Sequence, residues 1–290
     1  MTQFEAKSPH DGSTIFLHQS ATTGQLHGLG RIIPTVDALE VRKKRKSLTA
    51  LLASRGLGLI PRSQWKSRGH RKAGVFGTRF INNQKQTSGC VGWSGAQALT
   101  RVRYIQGLEF VLLSGGFLYA HINGGRDAGA MITDAQSALH KYGTCPESDF
   151  NGIWLNQIPA VATQSALRFL EIESVTIDSF DEIGTAIQYG AVVQFPINVG
   201  GNFENFTSEG VAGASSGGNH SVHAYDVEQL SSGEWVLTMP NSWGASWGPW
   251  QTGECLINER MINGSSGGND AFAHFGAIMD PQNPILTPLG

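Results

Sequence analysis

The 290-residue chain has few cysteines, no apolar run of membrane-spanning length and almost no net charge. Its three cysteines, Cys90, Cys145 and Cys255, are an odd set without metal-ligand spacing. That excludes a disulfide scaffold or a zinc site, leaves at least one thiol free or paired between chains, and suits a reducing compartment. The first thirty residues lack a positively charged start, an apolar stretch and a small-residue cleavage site, so no secretory leader and no membrane span are expected. A net charge of −2 gives no basic excess to neutralise phosphates, which makes nucleic acid a poor partner. No cofactor and no metal are expected.

What is present fits a folded α+β protein. Hydrophobic residues make up 40% of the chain, enough for a full core, and 37 glycines imply many turns. Residues 1–58 read as an N-terminal extension, polar and then basic at Arg42, Lys43, Lys44, Arg45 and Lys46. The basic run reads first as a solvated helix face; docking, processing or localisation are the alternatives. Ser47 before Leu48, Leu51 and Leu52, with Gly56 beyond, predicts a short capped helix. Residues 59–290 read as one domain in two parts, a helical lobe over about 59–170 and a strand-rich lobe over about 171–290. Trp93, Ala96, Leu99, Val102 and Ile105 recur every third residue and predict a buried helix over 91–106. A second helix is predicted over 132–142, ended by Gly143. Strands are predicted over 174–177, 191–197, 221–227 and 235–239. There is no evident internal repeat.

A cysteine at a helix N-terminus sits where unpaired N–H groups and the helix dipole favour a thiolate, and Cys90 has that position. Cys145 and Cys255 read as buried, inert thiols. A thiolate nucleophile needs a histidine as proton carrier and a third group to orient it. His220 and His223 share one predicted strand and, being three apart, face opposite sides, so only one can meet Cys90. Asn241, in a turn followed by two tryptophans among glycines, is the candidate orienter.

These residues resemble the papain-like cysteine peptidase family. Gln84 stands six residues before Cys90, as in the family's glutamine-to-cysteine motif. Asn241-Ser242-Trp243-Gly244, followed by Trp247-Gly248, is similar to the family's Asn-Ser-Trp-Gly-x-x-Trp-Gly motif at every fixed position. His220 and Asn241 follow Cys90 by 130 and 151 residues, near the family's usual separation of about 130–150. Asn219-His220-x-Val222 fits its histidine motif and favours His220 over His223. Ile60-Pro61 with Trp65 looks like the start of the mature enzyme, and Asp127-Ala128-Gly129-Ala130 is similar to disulfide-poor microbial members. Two departures stand out: Val91 follows the nucleophile where the family commonly has tryptophan, and Thr87 replaces the usual cysteine three residues before it.

The resemblance implies a two-lobed papain-like fold, with the cysteine on a helical lobe and the histidine and asparagine on a β-barrel-like lobe. It implies a cysteine endopeptidase acting on polypeptide through a thioester acyl-enzyme. Cys90 would be nucleophile, His220 base, Asn241 its orienter, and Gln84 with the Cys90 N–H the oxyanion hole. Trp243 would shield the His220–Asn241 bond. Gly129 and Ala130 would pair with an extended substrate, though Asn123-Gly124-Gly125 is an alternative counterpart. Asn219 would lie near the specificity pocket and Trp247 on the leaving-group side. The competing readings are a papain-fold structural or assembly protein with little activity, and a thiol acyltransferase or amidase using the same site. Residues 1–58 would either restrain the enzyme or tether it to a larger assembly.

Overall fold

The computed structural model describes residues 3–263 and 270–277. Residues 14–19 alternate, with Ile15 and Leu17 buried and Phe16 outward, the period of a strand with one covered face. This strand, β2 (Thr14–Gln19), pairs antiparallel with β1 (Gln3–Lys7) on one side and β3 (Leu26–Leu29) on the other. The extension is therefore a folded three-stranded sheet, continued by two helices. In α1 (Val36–Lys43) the Thr35 hydroxyl accepts from the Ala38 N–H, and in α2 (Leu48–Ala53) the Ser47 hydroxyl accepts from the Ala50 N–H, as the sequence signals predict for α2. Leu48, Leu51 and Leu52 are fully buried against the strand-rich lobe.

The basic run is not a simple solvated face. Arg42 is buried and donates to the Ile177 carbonyl and the Asp178 carboxylate, and Arg45 donates to the Ser137 hydroxyl. Two of its five cations thus tie the extension to both lobes.

The helical lobe is built on α3 (Cys90–Ile105), buried without a break from Cys90 to Val102. A helix buried all round needs neighbours on every side. These are α4 (Gly115–Ile122), α5 (Ile132–Lys141) and the sheet of the other lobe, while α6 (Ala160–Ala166) closes the far side. The strand-rich lobe holds β4 (Glu171–Ile177), α7 (Phe180–Gln188), β5 (Val192–Asn198), β6 (Asn219–Ala224), β7 (Asp226–Gln229), β8 (Trp235–Pro240), β9 (Glu254–Asn258), α8 (Glu259–Asn263) and β10 (Ala271–Ala277). The expected barrel-like closure does not occur. One antiparallel sheet runs β4-β10-β5-β6 and another runs β7-β8-β9, and both are open. The predicted strand over 221–227 breaks at Tyr225, and β6 and β7 on either side of it join different sheets.

The lobes meet where α3 packs on β5, β6 and β10. At this seam the Gln194 amide nitrogen reaches the Val91 carbonyl at 3.0 Å, the Ser94 hydroxyl at 2.7 Å and the Ser221 hydroxyl at 3.1 Å. A buried polar group so fully satisfied sets the register of what it joins, here the first turn of α3 against the start of β6.

Near the expected domain start, Trp65 lies between Phe180 and Trp235 and its indole N–H donates to the Ile60 carbonyl. A methyl on Gly184 would come within 2.1 Å of its ring. Trp65→Ala is expected to cost about 3–5 kcal/mol in urea unfolding, and Gly184→Ala about 1–3 kcal/mol through overpacking. In the double variant the second cost disappears, because the ring that Gly184→Ala would strike is gone.

Candidate active site

Cys90 is the first residue of α3, and the preceding Gly89 offers no side-chain cap. The thiol is completely buried, and burial pushes it up to about 11. The opposing influences are backbone N–H groups of Gly30, Ser221 and Val91 that point at the sulfur, and the positive charge of Arg31. The contact with Ser221 places the thiol beside the strand that carries His220.

His220 lies on β6 opposite Ile197 of β5. Its Nε2 is 2.8 Å from Asn241 Oδ1, which also accepts from the Ser242 N–H; the carbonyl can only accept, so Nε2 carries a proton. Nδ1 has no hydrogen-bond partner. Burial, only partly offset by Asn241, lowers His220 to about 3. Nucleophile and base are therefore both neutral here, and the cause for each is exclusion of water. Asn241 follows β8, and its N–H donates to the Gly253 carbonyl. The Trp243 ring lies 5.0 Å from that of His220, over the His220–Asn241 pair. Trp247 packs behind Trp243 against Phe203 and Phe206, fully buried.

Gln84 is fixed to the same turn: its N–H donates to the Ser242 carbonyl and its Oε1 accepts from the Ser242 hydroxyl. Its Nε2 donates to the carbonyls of Thr87 and Gly28, each at 2.9 Å. His223 is opposite Gln194, close to the charges of Arg101 and the His274 ring, on the face of β6 opposite to that of His220. The structure thus brings Cys90, His220, Asn241 and Gln84 together and leaves His223 out.

The cleft beside them is filled by residues 28–32 of the extension. The Gly28 N–H donates to the Lys85 carbonyl, and the Ala130 N–H to the Gly30 carbonyl at 2.8 Å. The Arg31 N–H donates to the Asn219 carbonyl at 3.3 Å, and the Ile32 N–H to the Ala130 carbonyl at 2.8 Å. Gly129, at φ 95°, allows this approach, since a methyl there would meet the Gly30 carbonyl oxygen at 2.1 Å. Gly124 and Gly125 meet nothing within 4 Å, and the main-chain pairing with the segment is made by Ala130, while the Gly129 N–H donates to the Tyr119 hydroxyl. Gly28 and Gly30 are equally constrained, for a methyl on either would stand about 2 Å from the carbonyl of Thr87 or Ser88.

Several contributors were given no role by the sequence. Asp127 is fully buried and accepts from the Ser88 N–H, the Tyr119 hydroxyl and the Ser8 hydroxyl, holding the loop before Cys90. Glu204 accepts from His18 Nε2 at 2.9 Å, from the Ser20 and Thr22 hydroxyls and from the Thr22 N–H. Those bonds outweigh burial and bring it down to about 2. His18 and His27 stack on Trp243 at 5.1 and 4.9 Å. Only the Gly-Leu-Gly run at 28–30 hinted at a close backbone approach.

No family model and no curated protein matches the chain. Solved structures do. Xylellain, a cysteine protease from Xylella fastidiosa, superposes with a TM-score of 0.57 at 16% identity, over 85% of this chain and 91% of that one. The bromelain protease from Ananas comosus gives 0.56 at 16%, over 73% and 98%. The fold is papain-like. Procathepsin B S9 from Trypanosoma congolense gives 0.56 at 12%, over 87% of this chain and 83% of that one.

Within this papain-like fold the sheet β1–β3 and the strap at 28–32 cover the cleft, and acid should open it. Burial lowers His27 to about 4 from 6.5. Once exposed it binds a proton that the closed form excludes, so closure weakens as pH falls from about 6.5 to 4. Its titratable neighbours are His18, His220 and Glu204. Glu204 acts in the same sense: its contribution to closure is full above about 4.5 and fades as pH falls toward about 2. Hydrogen-exchange protection of the 28–32 amides, corrected for intrinsic rates, should fall between pH 7 and 5. Glu204→Gln should lower it at both pH values, by about tenfold or more, since a charge-assisted bond contributes about 1.5–3 kcal/mol.

Proposed function

We propose that the chain is a cysteine endopeptidase held latent by its own residues 1–58. The observation that carries this reading is the extended segment 28–32, paired through its main chain to Ala130 and Asn219 across Cys90, with one of its carbonyls on the Gln84 amide. A cleft that holds one polypeptide by backbone hydrogen bonds is built to hold another.

With the segment withdrawn and water admitted, the desolvation that keeps Cys90 and His220 neutral is relieved. The proton can then pass from sulfur to Nδ1, giving a thiolate and an imidazolium. The thiolate adds to a peptide carbonyl, whose oxygen takes the place of the Gly28 oxygen on Gln84 Nε2, with the Cys90 N–H as second donor. The imidazolium gives its proton to the leaving amine as the C–N bond breaks. Water, deprotonated by the now neutral imidazole, hydrolyses the thioester and restores the thiol. Asn241 keeps the ring turned so that Nδ1 faces the sulfur throughout.

The segment itself is not presented as a substrate. It forms a parallel bridge with Ala130 and runs from the Trp243 side at His27 toward Ala130 at Arg31. The family resemblance puts the acyl side at Gly129 and Ala130 and the leaving group near Trp247, so a substrate would run the other way. A second reading, a papain-fold protein that seldom uses its site, draws support from the complete burial of Cys90 and His220.

Hydrolysis of fluorogenic peptides in the Glu204→Gln background separates the two readings. Cys90→Ala and His220→Ala are each expected to lower kcat/KM by about 10³-fold or more, and Gln84→Ala by about 10²–10³-fold. His223→Ala should retain turnover. No turnover by the Glu204→Gln protein itself, together with no alkylation of its Cys90 near neutral pH, would overturn the peptidase reading.

A further inference from the structure

A line of buried polar side chains runs from β10 to the helix that begins with Cys90, and the direction of its hydrogen bonds is forced. Gln194, on β5, sends its Nε2 to the Val91 carbonyl and to the Ser94 and Ser221 hydroxyls. The two hydroxyls, themselves 2.8 Å apart, can donate or accept, so they do not choose which end of the amide faces them. The Val91 carbonyl can only accept and therefore demands Nε2. At the other end, Nε2 of Gln136, on α5, stands 3.2 Å from Gln194 Oε1. The same nitrogen is 3.1 Å from Nε2 of His274, on β10, which must offer it a lone pair. The proton of a neutral His274 then belongs at Nδ1, 2.6 Å from Glu171 Oε1. Gln136, Gln194 and His274 are fully buried, and Glu171 nearly so.

Without Gln136 the Gln194 amide has a second arrangement open to it. Turned over, its Oε1 accepts from Ser94 and Ser221, and it forfeits only the bond to Val91, setting two carbonyl oxygens against each other beside the residue that follows Cys90. Ser221 adjoins His220 and carries the N–H that points at the thiol, so the choice bears on both members of the pair. Gln136 blocks the turned-over form, because its N–H would then meet the Gln194 N–H. Gln136 Oε1 has no hydrogen-bond partner, so the direction of that amide is set by Gln194 Oε1 and His274 Nε2 alone. The register of β10 on β5, with Phe272 opposite Gln194, brings His274 to the same stretch of sheet.

We propose that Gln136 and His274 are positioning residues for the Cys90–His220 pair, acting by fixing which way the Gln194 amide points. The inference rests on the peptidase reading. Neither residue bonds to the nucleophile or the base; each acts through the amide that spans them. The alignment of thiol and imidazole then depends on where a buried histidine on β10 carries its proton.

The test measures kcat and KM for a fluorogenic peptide in the full chain carrying Glu204→Gln, with the urea midpoint of each variant alongside. Gln136→Met, similar in shape but without a donor, should lower kcat by about tenfold, the worth of one buried hydrogen bond. KM should stay within about twofold, because the loss falls on alignment in the transition state. His274→Leu should behave like Gln136→Met. His274→Gln, whose Oε1 can replace Nε2 as acceptor, should stay within about threefold of the Glu204→Gln protein. A role in folding alone would move the urea midpoint and leave the kcat of the folded protein as it was. In the unaltered chain, nitrogen-15 spectra should show His274 with its proton at Nδ1 near neutral pH, a reading that does not depend on how any variant folds. A proton at Nε2, an unchanged kcat in Gln136→Met, or a His274→Gln variant as slow as His274→Leu overturns the positioning role while leaving the peptidase reading intact. No hydrolysis by the Glu204→Gln protein overturns the peptidase reading and this inference with it.

Discussion

The site depends on the seam between α3 and β6, and that seam depends on Gln194. Its amide nitrogen reaches the first turn of the helix that begins with Cys90 and the serine next to His220. Neither the thiol nor the imidazole is held by an element of its own lobe alone. If the lobes slid by a residue, the amide would lose its buried partners, and an unsatisfied buried amide costs about 1–3 kcal/mol. The polar seam therefore sets a discrete geometry that apolar packing would leave softer.

On that frame water, rather than distance, governs the chemistry of the occupied site. Cys90 and His220 carry the residue types and partners needed for an ion pair, yet burial drives the thiol up and the imidazole down. The helix N-terminus and the N–H groups around the sulfur are too weak to offset the loss of solvent. The strap at 28–32 thus acts twice, occupying the cleft beside Cys90 and removing the solvent that charge separation needs.

The sequence made the residues of the candidate site legible and left the segment that covers it obscure. Cys90, a histidine partner and Asn241 stood out by the residue types a thiol nucleophile requires, while Gln84 and the choice of His220 came from the family resemblance. The three-residue rhythm from Trp93 to Ile105 marked α3, and Ser47 marked α2. The strands of residues 1–58 went unread because they are short, polar on one face and stabilised by contacts far along the chain, such as His18 and Ser20 with Glu204. The break at Tyr225 was hidden for a similar reason, since β-propensity runs through it unbroken while the hydrogen bonds change sheet. Glu204 looks like an ordinary surface acid until the fold buries it. The barrel-like closure followed from the resemblance, and the two open sheets replace it.

The linker between the strap and the lobes has a kinetic meaning of its own. Residues 33–58 are anchored through Arg42, Arg45 and the buried leucines of α2, so the strap stays beside the cleft even when it lets go. A tethered occupant of this kind is present at an effective concentration on the order of millimolar, whatever the dilution of the protein. A peptide copied from residues 28–32 and added in solution has no such advantage. A cut in the connecting residues would remove that tether, and the strap would then be held only by the contacts that β1–β3 and their turns make with Glu204 and Asp127.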